Sequence, residues 1–377
     1  MITRLNNIQE ILKRKSVLLL GPRRTGKSYF LTHQLKPDRY YNLLEADTFR
    51  KISANPEFIR HSLKKTDHMV AIDEIQKLPS LMDEVHAMIE STKTRFILTG
   101  SSARKLSKNY TSLMAGRAKR VHFHPLTFEE LPKYDLQKRL LYGSLPSVVT
   151  SNDPWDELRD YTGLYLQEEI MAEAFVRKIE NFSRFLEFAG LNSGQILNFE
   201  KLGRDAQVPA RTIREYYSLL EDTLLGKNLL PFEKKGKRKA ISSSKFYFFD
   251  TGILNALVGR KTLHEKGEEF GNLFEHFIFN ELESYRDYYS QDCSFSFWRL
   301  EKECEVDFII NNEIALEVKS SNHIHKDHLK SLMSFSDDFK VKRKIIVSRD
   351  PDKRTIDQIE LIPYQDFLTD LWNKKIF

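Results

Sequence analysis

The chain has 377 residues, 41% hydrophobic and 30% charged, which gives room for two or three domains, ample core and an ordinary soluble surface. Its 59 basic and 53 acidic residues leave a net charge of +6, which permits nucleic acid as a partner without demanding it. No apolar run approaches the roughly 20 residues of a membrane span, Met1-Ile2-Thr3-Arg4 opens no signal peptide, and the isolated Cys293 and Cys304 argue against a disulfide framework or zinc site, so a cytoplasmic protein is expected.

The first chemical motif follows the apolar run Val17-Leu18-Leu19-Leu20, which reads as a buried strand. Gly21-Pro22-Arg23-Arg24-Thr25-Gly26-Lys27-Ser28 has the glycine, glycine-lysine and serine spacing of a phosphate-binding P-loop. Gly21 and Gly26 tolerate unusual dihedrals, so the amide N–H groups of this loop, through Arg24 and Thr25, can approach phosphate oxygens. The helix predicted from Lys27 adds its positive end, Lys27 reaches the β and γ phosphates, and Ser28 can join a Mg²⁺ shell. ATP and Mg²⁺ are the expected cofactors.

Next, Tyr40–Leu44 reads as a strand, and His68-Met69-Val70-Ala71-Ile72 reads as a parallel strand ending in Asp73-Glu74. Asp73 is expected to hold Mg²⁺ through water and Glu74 to polarise the attacking water, which implies hydrolysis rather than mere binding. Arg95-Phe96-Ile97-Leu98 is a further strand ending in Thr99-Gly100-Ser101-Ser102. In ATPases with an extra strand between the two motif strands, a polar residue here senses the γ phosphate; Thr99 or Ser101 fits, and a helix cap explains Ser101 equally well. Arg117, with Arg104 second, is the candidate arginine finger; a solvated or DNA-facing role is as compatible with the residues. A finger acting on a neighbour's nucleotide would require a homo-oligomer.

These strands alternate with helix-length segments over residues 1–155, as in a parallel sheet covered on both faces, and the proline-bounded stretch Pro146–Pro154 suggests a boundary. Residues 156–262 turn helical, including Leu164–Phe175 and Phe182–Ala189. Phe199–Ala206 and Val208–Leu220 have helix-turn-helix spacing, with Arg211, Arg214 and Tyr217 on the second helix. The basic run Lys234, Lys235, Lys237, Arg238 and Lys239 beside Phe246-Tyr247-Phe248-Phe249 suggests a winged helix with a basic wing. Its role is either DNA contact or packing as a lid.

The last segment, 263–377, carries the second signal. Glu305-Val306-Asp307-Phe308-Ile309-Ile310 and Ile314-Ala315-Leu316-Glu317-Val318-Lys319 read as strands joined through Asn311-Asn312, residues that tolerate positive φ. Alternation puts Glu305 and Asp307 on one face and Glu317 and Lys319 on one face. Side by side, Asp307 and Glu317 can hold Mg²⁺ while Lys319 positions a water near a phosphodiester, with Glu275 on an upstream apolar helix as a further metal-shell acid. Charge inside apolar strands is costly unless paired, which lifts this above a chance Glu-x-Lys. A fold of this kind can also persist with an idle site.

The order of the pieces resembles a widespread bacterial and archaeal family in which an AAA-type ATPase domain precedes a winged-helix region and a C-terminal domain of uncharacterised function similar to PD-(D/E)xK nucleases. The likeness is carried by Gly21–Ser28, Ile72-Asp73-Glu74-Ile75-Gln76, Leu98–Ser102, Ala115-Gly116-Arg117-Ala118, Pro125–Glu130 and Gly143-Ser144-Leu145-Pro146. It continues through Gly271-Asn272-Leu273-Phe274-Glu275, Glu305–Phe308 and Leu316–Lys319. Ser144 departs from it, standing where a second glycine is usual. The resemblance implies an α/β protein: a P-loop AAA parallel-sheet domain (1–155), a helical winged-helix domain (156–262) and an α/β restriction-endonuclease-like domain (263–377). The function it implies is ATP hydrolysis coupled to action on DNA. The alternatives are a nucleotide-dependent switch for a protein partner with an idle nuclease fold, and, less suited to Glu74, a P-loop kinase.

Overall fold

The structure is a computed structural model and describes residues 2–101, 116–165, 179–233, 243–289, 292–300 and 304–377. Arg104, Ser102, the basic run 234–239 and most of the helix expected at 164–175 lie outside the described residues. The chain divides into two compact units: Met1–Leu126 with Leu219–Leu225 and Asp287–Tyr289, and Thr127–Ser218 with Gly226–Arg286 and Ser290–Phe377.

In the first unit, β1 (Ser16–Leu20), β2 (Arg39–Asn42), β3 (Met69–Asp73), β4 (Arg95–Gly100) and β5 (Ala118–His122) form one sheet in the order β2-β3-β4-β1-β5. Every pairing is parallel. Alternation along β1 feeds two apolar layers: Val17 and Leu19 pack with Phe30, Leu31, Ile97 and Phe123, and Leu18 and Leu20 pack with Ile72, Val85, Met88 and Leu98. This two-sided burial explains why β1 reads as an uninterrupted apolar run. The expected extra strand is present, since β4 pairs with both β1 and β3.

The second unit is built on eight strands: β6 (Gly226–Pro231), β7 (Lys245–Phe248), β8 (Phe295–Arg299), β9 (Glu305–Ile310), β10 (Ile314–Lys319), β11 (Arg343–Ser348), β12 (Arg354–Ile356) and β13 (Ile359–Pro363). Their order is β12-β13-β11-β10-β9-β8-β6-β7. β10, β11 and β13 run parallel, whereas β9 is antiparallel to β8 and β10. Asn311 and Asn312 take φ of 53° and 57° between β9 and β10, the left-handed conformation expected of them.

The units do not divide where the sequence suggested. Pro146 and Pro154 each open a short helix, Pro146–Thr150 and Pro154–Asp160, in the first-turn position where a missing N–H costs nothing. Leu145, Val148, Leu158 and Tyr161 then join Ile253 in one cluster, so 127–155 belongs with the second unit. β6 pairs in parallel with β8 through Leu230↔Ser296 and Pro231↔Phe297, so one sheet spans the boundary expected at 262.

Helices Phe199–Ala206 and Ala210–Asp222 flank a turn at Gln207, whose φ is 55°. Gly203 is required there, as an added Cβ would lie 2.7 Å from the Val208 carbonyl oxygen. The two helices are followed by the antiparallel pair β6–β7.

Candidate functional site

The loop after β1 has the geometry that phosphate binding needs. Gly21 N–H donates to Gly100 O at 3.1 Å, fixing the loop's entry beside β4. Gly26 sits at φ 92° and Arg24 at φ 58°, and Lys27 opens the following helix. The Lys27 ammonium donates to Gly21 O at 2.7 Å and Pro22 O at 2.8 Å, so it lies over the loop that would wrap the phosphates. The Thr25 side chain is fully buried and donates to Pro22 O at 2.8 Å, so it shapes the loop and leaves its backbone for a ligand. Arg4, which the sequence did not single out, donates to Thr25 O at 2.7 Å and His124 O at 2.6 Å and stacks over Phe123.

Across β4, Asp73 ends β3 nearly fully buried. The Tyr40 hydroxyl donates to Asp73 Oδ2 at 2.7 Å, and the Thr99 hydroxyl donates to Oδ1. Burial, then Asp73, raises the Tyr40 phenol well above its ordinary range, while the Ser28 hydroxyl reaches the same phenol. The tyrosine on β2 thus holds Asp73 and lies within the electrostatic reach of Ser28, and these are the two residues expected to hold Mg²⁺. Thr99 also accepts the Glu74 N–H at 3.0 Å, so the expected sensor is a clamp on both acids. Glu74 takes φ 60° and receives the Gln76 amide, which also donates to Ser101 Oγ at 3.0 Å.

Arg117 is elsewhere. Its carbonyl accepts from Ser16 N–H at the start of β1, about 13 Å along the strand from the loop at about 3.3 Å per residue, and its guanidinium is paired with Glu90. The structure therefore does not bring the expected finger to its own P-loop. Arg211 and Arg214 are exposed and pair with Glu215 and Glu200.

A second charged cluster lies in the other unit. Asp307 and Glu317 are buried on adjacent strands, and Asp307 Oδ2 accepts the Val318 N–H at 2.7 Å. Lys319 Nζ lies 2.5 Å from Glu317 Oε1, whereas the buried Glu317 Oε2 has no partner. Burial raises Glu317 to about 7 against the pull of Lys319, and burial, then Glu317 and Glu275, raises Asp307 well above the carboxylate range. Two carboxylates with one orphan oxygen are a donor set that suits a single divalent cation. Glu275 does not complete it. Its Oε1 accepts from the Tyr247 hydroxyl at 2.5 Å and pairs with Lys245 Nζ at 3.1 Å, and Lys245 also pairs with Glu305. Among the described residues no three acidic, histidine or cysteine side chains gather as a metal group, which corrects the three-acid shell expected from Glu275, Asp307 and Glu317. Lys245 and Tyr247 were missed, although a lysine inside an aromatic strand carries the same paradox that marked Glu317. In the same unit, a cleft of 670 Å³ walled by Tyr134, Phe270, Asn322, Arg349 and Tyr364 opens where β10, β11 and β13 end.

The parallel sheet, the loop and the buried acid pair define a P-loop nucleotide-binding domain. Residues 13–132 match the family model described as an AAA domain, so the N-terminal region is an AAA-type P-loop ATPase domain; 133–264 and 270–367 match two domains of unknown function, DUF8612 and DUF4143. Among full-length relatives, an uncharacterized protein of Haemophilus influenzae is 26% identical over 98% of both chains. The uncharacterized protein MJ1544 of Methanocaldococcus jannaschii is 24% identical over 94% of this chain and 88% of its own. Of solved structures, the Aeropyrum pernix ORC1 protein in complex with DNA aligns at 12% identity over 68% of this chain and 93% of that one, with a TM-score of 0.26, too low to establish a shared fold. No helix among the described residues is long and apolar enough to cross a membrane.

Proposed function

We propose that the protein binds and hydrolyses ATP with Mg²⁺ and couples that cycle to action on DNA. The observation that carries the first half is Asp73, held between Tyr40 and Thr99 one strand away from Lys27. A carboxylate fixed by two hydroxyls is oriented before any ligand arrives, so little reorganisation remains when charge builds on the γ phosphate. Ser28 and Asp73 would hold the magnesium, which supplies charge neutralisation on the phosphates. Lys27 leaves the Gly21 and Pro22 carbonyls for the phosphate oxygens. Glu74, freed from Gln76, accepts a proton from the attacking water. Arg117 supplies positive charge to a neighbouring subunit's nucleotide on release from Glu90, making the working form a homo-oligomer.

DNA as partner is supported by the net charge of +6, the exposed Arg211 and Arg214 on the second helix of a helix-turn-helix pair, and the basic run 234–239 in the winged-helix reading. In the C-terminal unit the nuclease-like reading rests on Asp307, Glu317 and Lys319. Asp307 and Glu317 would hold one Mg²⁺, which stabilises charge on a phosphodiester, and Lys319 orients water toward it. The cleft at the carboxyl ends of β10, β11 and β13 lies where open α/β sheets bind ligands. A switch with an idle nuclease fold is the second reading, favoured by the ammonium of Lys245 between Glu275 and Glu305. ATP turnover of the purified chain with and without single-stranded, duplex and branched DNA tests the proposal: stimulation by DNA supports it, and turnover indifferent to every DNA form favours the switch.

A further inference from the structure

The charge cluster of the C-terminal unit contains four carboxylates and two ammonium groups, and they sort into two pairs of acids. Glu275 and Glu305 come from the helix Glu268–Tyr289 and from β9, elements distant in sequence, and what joins them is Lys245 on β7. Lys245 is 2% exposed. Its ammonium lies 3.1 Å from Glu275 Oε1 and pairs as well with Glu305, so one buried cation serves both glutamates. A buried ammonium of this kind is stable only while its carboxylates stay with it, and the two glutamates would repel each other without it. The other acids, Asp307 and Glu317, are different. Lys319 satisfies one oxygen of Glu317, and the second oxygen of this 2% exposed residue is left without a partner.

We propose that the cluster holds cations at two places: Lys245 permanently fills the one between Glu275 and Glu305, and the other, at Asp307 and Glu317 Oε2, takes a single divalent cation. The inference rests on the reading of this cluster as a cation-binding site and deepens it, because it sets the number of exchangeable cations at one and names the group that excludes the second. A dication approaching Glu275 would have to displace an ion-paired ammonium that is covalently tethered, which has no translational entropy to lose. A fixed side-chain charge also ties the helix, β7 and β9 together in the absence of any metal.

The test counts Mn²⁺ bound to the full chain, free of nucleotide, from the electron paramagnetic resonance signal of free Mn²⁺, for wild type and Lys245→Met. Methionine keeps the apolar stem and removes the charge. The expected result is one more tightly bound Mn²⁺ in Lys245→Met than in wild type, lost again when Glu305→Gln is added. Equal stoichiometry in the two proteins overturns the inference, as does a wild type that binds two at the cluster. A wild type that binds none while Lys245→Met gains one supports the place assigned to Lys245 and overturns the cation reading of Asp307 and Glu317, so the two failures are separable. Lys245→Gln is the second variant should methionine prevent folding, and the same comparison decides.

Discussion

The Tyr40 hydroxyl lies 2.7 Å from Asp73 Oδ2, so the acid that ends β3 is held by a side chain of the neighbouring edge strand β2 as well as by Thr99 of β4. The register explains it: Asn42 pairs with Asp73, and Tyr40, two residues back, reaches the carboxylate with its long ring. A change at Tyr40 is therefore felt directly by Asp73, one of the two residues assigned to magnesium.

Tyr40→Phe should therefore lower stability by about 1 kcal/mol, the usual net value of one hydrogen bond, and raise the Mg²⁺ concentration needed for half-maximal ATP turnover. Thermal melting and a Mg²⁺ titration check the two parts. An unchanged Mg²⁺ requirement would mean that Asp73 does not depend on Tyr40 for its orientation.

Gly21→Ala should cost roughly 1–3 kcal/mol, as overpacking does, and abolish nucleotide binding, since the new Cβ would sit 2.3 Å from the Phe123 carbonyl oxygen, which is backbone and cannot rotate away. Melting in the presence and absence of ATP reads both effects. Retention of an ATP-induced shift in this variant would contradict the close approach of β1 and the 123 segment.

One part of the pH dependence of stability comes from the buried Glu281. Glu281 accepts from Phe128 N–H and from the Trp372 indole, each at 2.8 Å, and burial raises it to about 7 against the pull of Arg139. Between about 4.5 and 7 the folded chain keeps a proton that the unfolded chain releases, so this group's contribution is present at the low end and is lost as pH rises through the window. The shift corresponds to roughly 3 kcal/mol. His276, lowered to about 4 by burial, works in the opposite direction as pH falls from 6.5, so wild-type melting alone would not resolve Glu281. Glu281→Gln should lose most to wild type near pH 4.5 and least near pH 7; a difference that stays constant with pH would show that folding leaves the Glu281 carboxyl unshifted.

Arg117, paired with Glu90 far from its own loop, should act across subunits if it acts at all. Mixing Arg117→Ala with Glu74→Gln chains should restore part of the ATPase activity that neither has alone. No recovery in a verified mixed oligomer would remove Arg117 from the mechanism.

The sequence shows the N-terminal fold well because β1, β3 and β4 are buried on both faces and read as unbroken apolar runs with their functional groups at the ends. Adjacent positions are enough there: Gly21 to Ser28 is one loop, and Asp73 and Glu74 are one strand end. Tyr40, Arg4 and Lys245 were illegible for the opposite reason. Each acts through a partner 21 or more residues away, reached only through strand register or a returning segment. Glu275 was found by its place in an apolar helix, but its neighbour Lys245 changes its chemistry from metal ligand to ion-pair partner. The proline-bounded stretch near 146 misled because proline opens a helix as readily as it ends one.

Lys27 and Glu74 divide the labour of the proposed ATPase site, the first in binding and the second in hydrolysis. ATP binding and ATP turnover should be measured side by side for wild type, Lys27→Ala and Glu74→Gln. Loss of a charged contact worth roughly 1.5–3 kcal/mol should weaken ATP binding by Lys27→Ala about 10- to 100-fold, whereas Glu74→Gln should bind ATP as wild type does and fail to hydrolyse it. Equal loss of binding in both variants, or turnover that survives in Glu74→Gln, would contradict that division.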